Sequence, residues 1–197
     1  MSKIEPLSPL LAALRDLVVW LQDKKVPGVI IGGVAASILG RPRMTRDIDA
    51  LILLEEGDWG KFLASGRKFG FIPRLTDCLN FARKSKVLLV RHKPSGIDVD
   101  ITFGALPFEK EAISRAVWLD IKKVRLPLPT PEDLIIMKAI AHRPRDDADI
   151  ESILDVHKKL NLRKVRRLVK EFSNAIEMPE ILGDLENILT RKGKRKR

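Results

Sequence analysis

Two segments of this chain open with a pair of acids and then run toward an apolar interior. In TRDIDALILL, residues 45–54, the first half alternates polar and apolar while the second half is wholly apolar. That is the pattern of a strand entering a core from an exposed end. GIDVDITF, residues 96–103, repeats the Asp-x-Asp pair on a second strand. Side chains at i and i+2 of a strand share a face, so Asp47 is expected beside Asp49, and Asp98 beside Asp100. Carboxylates held this close repel one another. A divalent cation between them removes the repulsion, and hard oxygen donors suit Mg²⁺ or Mn²⁺. A single Asp-x-Asp is also common on solvated strand faces. Two of them, with Gly32-Gly33 ahead of the first, form a stronger pattern. If the two strands are neighbours, three or four carboxylates converge on one point, able to hold metal ions that bridge a nucleotide's phosphates.

The elements around these strands follow from periodicity and turn residues. Leu10, Leu11, Leu14, Leu17, Val18 and Leu21 recur at helical spacing, giving a helix over Pro9 to Lys24. GVII, residues 28–31, is a short buried strand ending in the Gly32-Gly33 turn, and residues 34–39 form a helical turn or two. Asp58 to Lys68 reads as a helix with Asp58 able to cap it. Residues 77–83 are either strand or helix. Lys86 to His92 and Ile97 to Phe103 are strands joined by the KPSG turn. A short helix over 107–115 and one or two short strands over 117–126 complete this mixed region. Thr130 then caps TPEDLIIMKAIAHR, and only helices follow, over 146–157, 162–175 and 179–190. The expected architecture is α+β: a mixed sheet with flanking helices over residues 1–126, a helical subdomain over 127–190, and a basic disordered tail over 191–197.

The chain has 197 residues, enough for a core without covalent staples. Its one cysteine, Cys78, allows no internal disulfide, and is expected as a buried thiol in a reducing, cytoplasmic setting. No stretch approaches the roughly 20 apolar residues of a membrane span; the N-terminal segment reads as an amphipathic helix and not as a signal peptide. Net charge is +11, of which six charges lie in the last seven residues, RKGKRKR. A basic surface favours polyanionic partners, nucleic acid and nucleotide phosphates among them. Arg163, Lys164, Arg166, Arg167 and Lys170 extend that tendency along one helix, which suits phosphate contacts or is simply solvated. His92, His142 and His157 lack metal-ligand spacing and are read as surface residues.

IGGVAASILGRPRMTRDIDALI, residues 31–52, resembles the DNA polymerase β-like nucleotidyltransferase superfamily: a strand, a Gly-Gly turn, a short helix, and a strand bearing two acids. VDITFGALPFEKEAISRA and PEDLIIMKAIAHRPRDDADI extend the likeness, and GGVAA with R-x-T-R-D-I-D is similar to AbiEii-type toxins and related nucleotidyltransferases. The resemblance implies that Asp47, Asp49 and Asp100 are the catalytic, metal-binding acids, with Asp98 as a further ligand and Asp100 helping to deprotonate an attacking hydroxyl. It also implies that Gly32, Gly33, Ser37, Arg46 and Lys138 bind the nucleotide. Lys138 is expected to reach from its apolar helix into a cleft, while Arg143, Asp146 and Asp149 read as an ion-pair network. Arg41 and Arg43 are placed for phosphates or are solvated loop residues.

The implied activity moves a nucleoside monophosphate from a nucleoside triphosphate to a hydroxyl of tRNA, other RNA or a protein, with Mg²⁺ or Mn²⁺. A toxin–antitoxin setting brings in a cognate antitoxin protein as partner, and no membrane. The alternatives are a small-molecule, antibiotic-type nucleotidyltransferase and a catalytically inactive nucleotide- or protein-binding module of the same fold.

Overall fold

A computed structural model describes residues 8–194. The expected α+β architecture is what forms, with a mixed sheet and flanking helices. The chain divides into two compact units. One contains residues up to 34 together with 45–128; the other contains 35–44 together with the sequence from 129 onward.

The first unit is built on a five-stranded sheet of β1 (Gly28–Ile31), β2 (Asp47–Ile52), β3 (Phe71–Pro73), β4 (Val87–His92) and β5 (Ile97–Phe103), in the order β1-β2-β5-β4-β3. Only β2 and β5 pair in parallel; the other neighbours are antiparallel. Alternation decides which face is covered. Ile48, Leu88, Val90, Val99, Ile101 and Phe103 point inward and are buried. On that side Trp20 of helix α1 (Pro9–Asp23) stacks on Phe62, with ring centroids 4.1 Å apart, and on Phe71 at 5.1 Å. Phe62 belongs to α3 (Trp59–Gly66), and a Cβ at Gly66 would lie 2.7 Å from the Trp20 ring, so glycine is what lets the indole seat there. Asp58 does not cap α3: a short 3₁₀ turn over Glu56–Asp58 precedes the helix, and no side-chain cap bond forms.

Residues 77–83, left open by the sequence, lie in helix α4 (Cys78–Ser85), with Cys78 buried. Helix α5 (Pro107–Ser114) precedes a hairpin of β6 (Val117–Ile121) and β7 (Val124–Leu128). Its two turn residues, Lys122 and Lys123, both have positive φ, which the tight two-residue connection requires. Among the described residues, no helix is long and apolar enough to cross a membrane.

The second unit consists of α6 (Pro131–Ala141), α7 (Asp146–Val156), α8 (Leu162–Ala175) and α9 (Glu180–Lys194), together with residues 35–44. Those early residues supply most of α2 (Gly32–Leu39) and the loop after it. Thr130 caps α6 as expected, its side chain accepting from the Asp133 N–H. α9 continues four residues past 190, so 191–194 are helical; the rest of the expected tail lies outside the described residues.

Candidate active site

The face of the sheet opposite the core carries the acids, and strand register arranges them in rows. Asp47 is aligned with Asp98, and Asp49 with Asp100, across the parallel β2–β5 pair. Antiparallel β4 extends each row, placing Arg91 opposite Asp98 and Leu89 opposite Asp100. One row therefore reads Asp47, Asp98, Arg91; the next reads Asp49, Asp100, Leu89. A sequence in which both Asp-x-Asp pairs sit at strand beginnings brings the pairs together only if those strands are parallel neighbours, and they are. Asp47, Asp49, Asp98 and Asp100 thus share one face.

Ile31 is the β1 residue aligned with Asp49, and Gly32 follows it at the start of α2. The φ of Gly32 is +62, in the left-handed region, and a Cβ built there would fall 1.9 Å from Oδ2 of Asp49. Glycine thereby serves two needs, the backbone turn and the seating of the Asp49 carboxylate. Gly33 follows in the first turn of α2, where backbone N–H groups have no helical partners and the helix dipole favours anions. Asp47 accepts a hydrogen bond of 3.1 Å from the Thr45 hydroxyl, and Arg46 stands exposed just ahead of β2.

Two arginines that sequence reasoning passed over complete the face. Arg91 grips Asp98 with Nε at 2.6 Å and Nη2 at 3.1 Å from its two oxygens. Arg74, the residue after β3, forms an ion pair from Nη1 to Asp98 at 3.1 Å and donates a hydrogen bond from Nη2 to Oδ1 of Asp100. The two acids of β5 consequently differ. The hydrogen bond from Arg91, with help from Arg74, holds the Asp98 carboxyl below the usual carboxylate range against the opposing effect of burial. Burial pushes the Asp100 carboxyl up; Arg74 opposes this, and the charges of Asp47 and Asp98 add to it.

Asp98 was expected as a further metal ligand, but both its oxygens are engaged by guanidinium groups. Asp47, Asp49 and Asp100 provide, on one face of the sheet, hard oxygen donors of the kind a divalent cation takes, so the donor set fits such an ion in type. As the side chains stand, no group of three carboxylate, imidazole or thiol side chains among the described residues is arranged to hold a metal.

Ser37 and Lys138 have other partners. The Ser37 hydroxyl donates to the Arg43 carbonyl at 2.9 Å and fixes the loop after α2. Lys138, expected to enter a cleft, is 3% exposed, and its ammonium is bound by Asp146 at 2.8 Å and Asp149 at 2.7 Å. Arg43 forks onto Asp149 at 2.6 and 2.8 Å, and Arg143 binds Asp146 at 2.8 Å. The expected ion-pair network is present, and Lys138 is its centre. Arg41 pairs with Asp155 at 3.0 Å. On α8, Lys164 binds buried Asp133 and Arg166 forks onto Glu186, while Arg163, Arg167 and Lys170 remain exposed at i, i+4 and i+7. The surface reading fails for His92. It is fully buried, bonded to Ser95 through Nδ1 at 2.7 Å and to Asp16 through Nε2 at 3.1 Å.

Concavities of about 470 and 490 Å³ are lined by Arg41, Arg43 and Lys192 with their acidic partners in one case, and by Leu54, Trp59 and Phe103 with their neighbours in the other. Neither includes any of the four acids. The candidate site is marked by clustered charge and register.

Comparison with known proteins agrees with this architecture. A family model described as nucleotidyltransferase of unknown function (DUF6036) matches residues 77–186. No curated protein has a significantly similar sequence. Among solved structures, an antigenic nucleotidyltransferase-like protein from Paracoccidioides brasiliensis is 14% identical, covers 88% of this chain and 92% of its own, and has a TM-score of 0.53. The antibiotic-resistance factor ANT(2″)-Ia is 16% identical over 87% of this chain and 95% of its own, with a TM-score of 0.59. The lincosamide antibiotic adenylyltransferase LnuA is 15% identical over 74% and 96%, with a TM-score of 0.51.

Proposed function

This chain belongs to the DUF6036 family of nucleotidyltransferases, and we propose that it transfers a nucleoside monophosphate from a nucleoside triphosphate to a hydroxyl of RNA or protein, using Asp47, Asp49 and Asp100. The observation that carries this reading is the parallel register that sets Asp47 and Asp49 beside the Asp98–Asp100 pair. A divalent ion held by Asp47, Asp49 and Asp100 would neutralise phosphate charge and polarise the α-phosphate. The Gly32–Gly33 turn offers backbone N–H groups to the phosphates, with Arg46 nearby in sequence. Asp100 takes the proton of the attacking hydroxyl. The acceptor oxygen bonds to the α-phosphorus, the bond from that phosphorus to the bridging oxygen breaks, and pyrophosphate leaves. Asp98 holds Arg91 and Arg74 in place at the border of the cluster.

The exposed cations Arg163, Arg167 and Lys170 support a polyanionic acceptor such as tRNA. The sequence likeness to AbiEii-type toxins supports a toxin–antitoxin setting with a partner antitoxin. A second reading, transfer to a small hydroxyl-bearing compound, is favoured by the names of two solved relatives in fold, an antibiotic-resistance factor and a lincosamide adenylyltransferase. Incubation with labelled nucleoside triphosphates, Mg²⁺ and, separately, bulk tRNA, protein and an aminoglycoside decides between them. Label should move to one acceptor with the unaltered chain and to none with Asp49→Ala. Equal labelling by both proteins would end the proposal.

A further inference from the structure

We propose that the β6–β7 hairpin is a docking element for single-stranded RNA, with Trp118 as a stacking platform for a base and Lys122, Lys123 and Arg125 as phosphate ligands. Its use in catalysis rests on the RNA form of the function given above; the binding itself needs no transfer.

Register sorts the hairpin into two faces. Val117 is aligned with Leu128, Leu119 with Leu126, and Ile121 with Val124. Val124, Leu126 and Leu128 are buried, and β7 packs against β1 and α1 of the same unit, so the hairpin is anchored on its inner face. The pairs Trp118 with Pro127 and Asp120 with Arg125 form the outer face, and Lys122 and Lys123 form the tip.

Three observations point to a polyanion that carries bases. First, Trp118 is 40% exposed, whereas the other two tryptophans of the chain, Trp20 and Trp59, are buried. Arg125 lies with Cζ 5.7 Å from the Trp118 ring centroid, a cation–π pair that keeps positive charge beside the indole. An aromatic ring with a cation at its side suits a stacked base and its phosphate. Second, Lys122 and Lys123 occupy their turn with φ of +44 and +72. Such a turn favours Asn-Gly, and a residue with a long side chain resists that backbone. Two consecutive lysines there hold charge at the tip against a conformational cost. Third, Lys122, Lys123 and Arg125 make no ion pair among the described residues, so their charge is available to a ligand. Residues 117–128 contain these three cations and one acid, Asp120. That balance favours a phosphate backbone over a protein strand added at the β6 edge. Stacking on the indole requires an unpaired base, which selects a single strand over a duplex.

Fluorescence-anisotropy titration of the whole chain with an end-labelled single-stranded RNA of about 12 nucleotides tests this. Trp118→Ala should weaken binding about tenfold, and the quenching of indole emission by RNA should disappear with it. The double variant Lys122→Asn, Lys123→Gly should also bind about tenfold more weakly and lower the slope of log affinity against log salt by about 1.4. It should nevertheless melt at an equal or higher temperature than the unaltered chain, because its turn is relieved. Unchanged affinity in either variant overturns the proposal, as does equal affinity of the unaltered chain for a duplex of the same length. If sedimentation shows that the variants alter self-association and leave RNA binding intact, β6 is a protein-pairing edge and the proposal is wrong. If replacing Arg163, Arg167 and Lys170 with Glu abolishes RNA binding while the hairpin variants do not, the RNA reading stands without the hairpin. If the unaltered chain binds neither the oligonucleotide nor tRNA, both fall together.

Discussion

Replacing Lys138 with Met separates a structural ammonium from a phosphate ligand. Lys138 is 3% exposed and lies within 2.8 Å of Asp146 and 2.7 Å of Asp149. Removing one partner from a buried ion pair costs about 3–5 kcal/mol, because the charges left behind are desolvated without compensation. Here the loss is tempered. Asp149 keeps the Arg43 fork and Asp146 keeps Arg143, whose side chain is well exposed. The lower figure, about 3 kcal/mol, is therefore expected, and in a chain of this size it lowers the melting temperature by about 6–12 °C. The pH dependence has a definite sign. Burial pushes the Asp146 and Asp149 carboxyls up, but hydrogen bonds and charge from Lys138, with Arg143 on the first and Arg43 on the second, outweigh it and hold both below the usual carboxylate range. Their stabilising effect is complete above the unfolded carboxylate pKa and is lost as pH falls through the folded one. Without Lys138 the two groups accept protons more readily, so the deficit of Lys138→Met should be largest near neutrality and shrink in acid. Thermal unfolding followed by circular dichroism across that range measures it. A melting temperature within about 2 °C of the unaltered chain near neutral pH, together with weakened nucleotide binding, would refute the structural assignment and return Lys138 to the nucleotide.

Gly32→Ala places a Cβ 1.9 Å from Asp49 Oδ2 at a φ of +62; a cost of about 1–2 kcal/mol in stability and a loss of transfer on the order of 100-fold are expected. Nucleotidyl transfer at the unaltered rate would show that the carboxylate need not sit on that glycine. Charge reversal of Arg163, Arg167 and Lys170 to Glu should weaken tRNA binding by at least about tenfold and flatten its salt dependence, while transfer to a small acceptor is retained; gel-shift titration at two salt concentrations reads this, and unchanged binding would remove α8 from the RNA reading. His92→Leu leaves Asp16 and Ser95 without their shared partner and should cost about 1–3 kcal/mol, visible as a lower urea midpoint; an unshifted midpoint would mean the imidazole contributes nothing there.

The acid pairs and the glycine turn were legible in the sequence because period-2 alternation fixes which residues share a strand face. Pairing between strands was not legible. Spacing alone treats Asp98 and Asp100 alike, and only the register shows that Arg91 faces the first of them. Arg74 escaped notice because β3 is three residues long and contains a proline, so no periodicity marks it. His92 has the polar character of a turn-proximal residue, yet its position in β4 points it inward, and two partners from different parts of the chain satisfy it. Lys138 resisted the reading for a related reason. An isolated lysine in an apolar helix looks the same from sequence whether a ligand or a pair of acids on the next helix awaits it.

Residues 35–44 belong with the helices although they precede four of the five main strands in sequence. The two units are thus interleaved and not strung in tandem, and no single cleavage of the chain yields both intact. Ending it at Leu128 would strand Ala35, Ala36 and Leu39, all buried in the whole protein, on a fragment lacking the helices with which they group. Any recombination event or engineered fusion that keeps the uninterrupted chain from β1 to β5 therefore also carries residues 35–44, whose partners lie in the C-terminal helices.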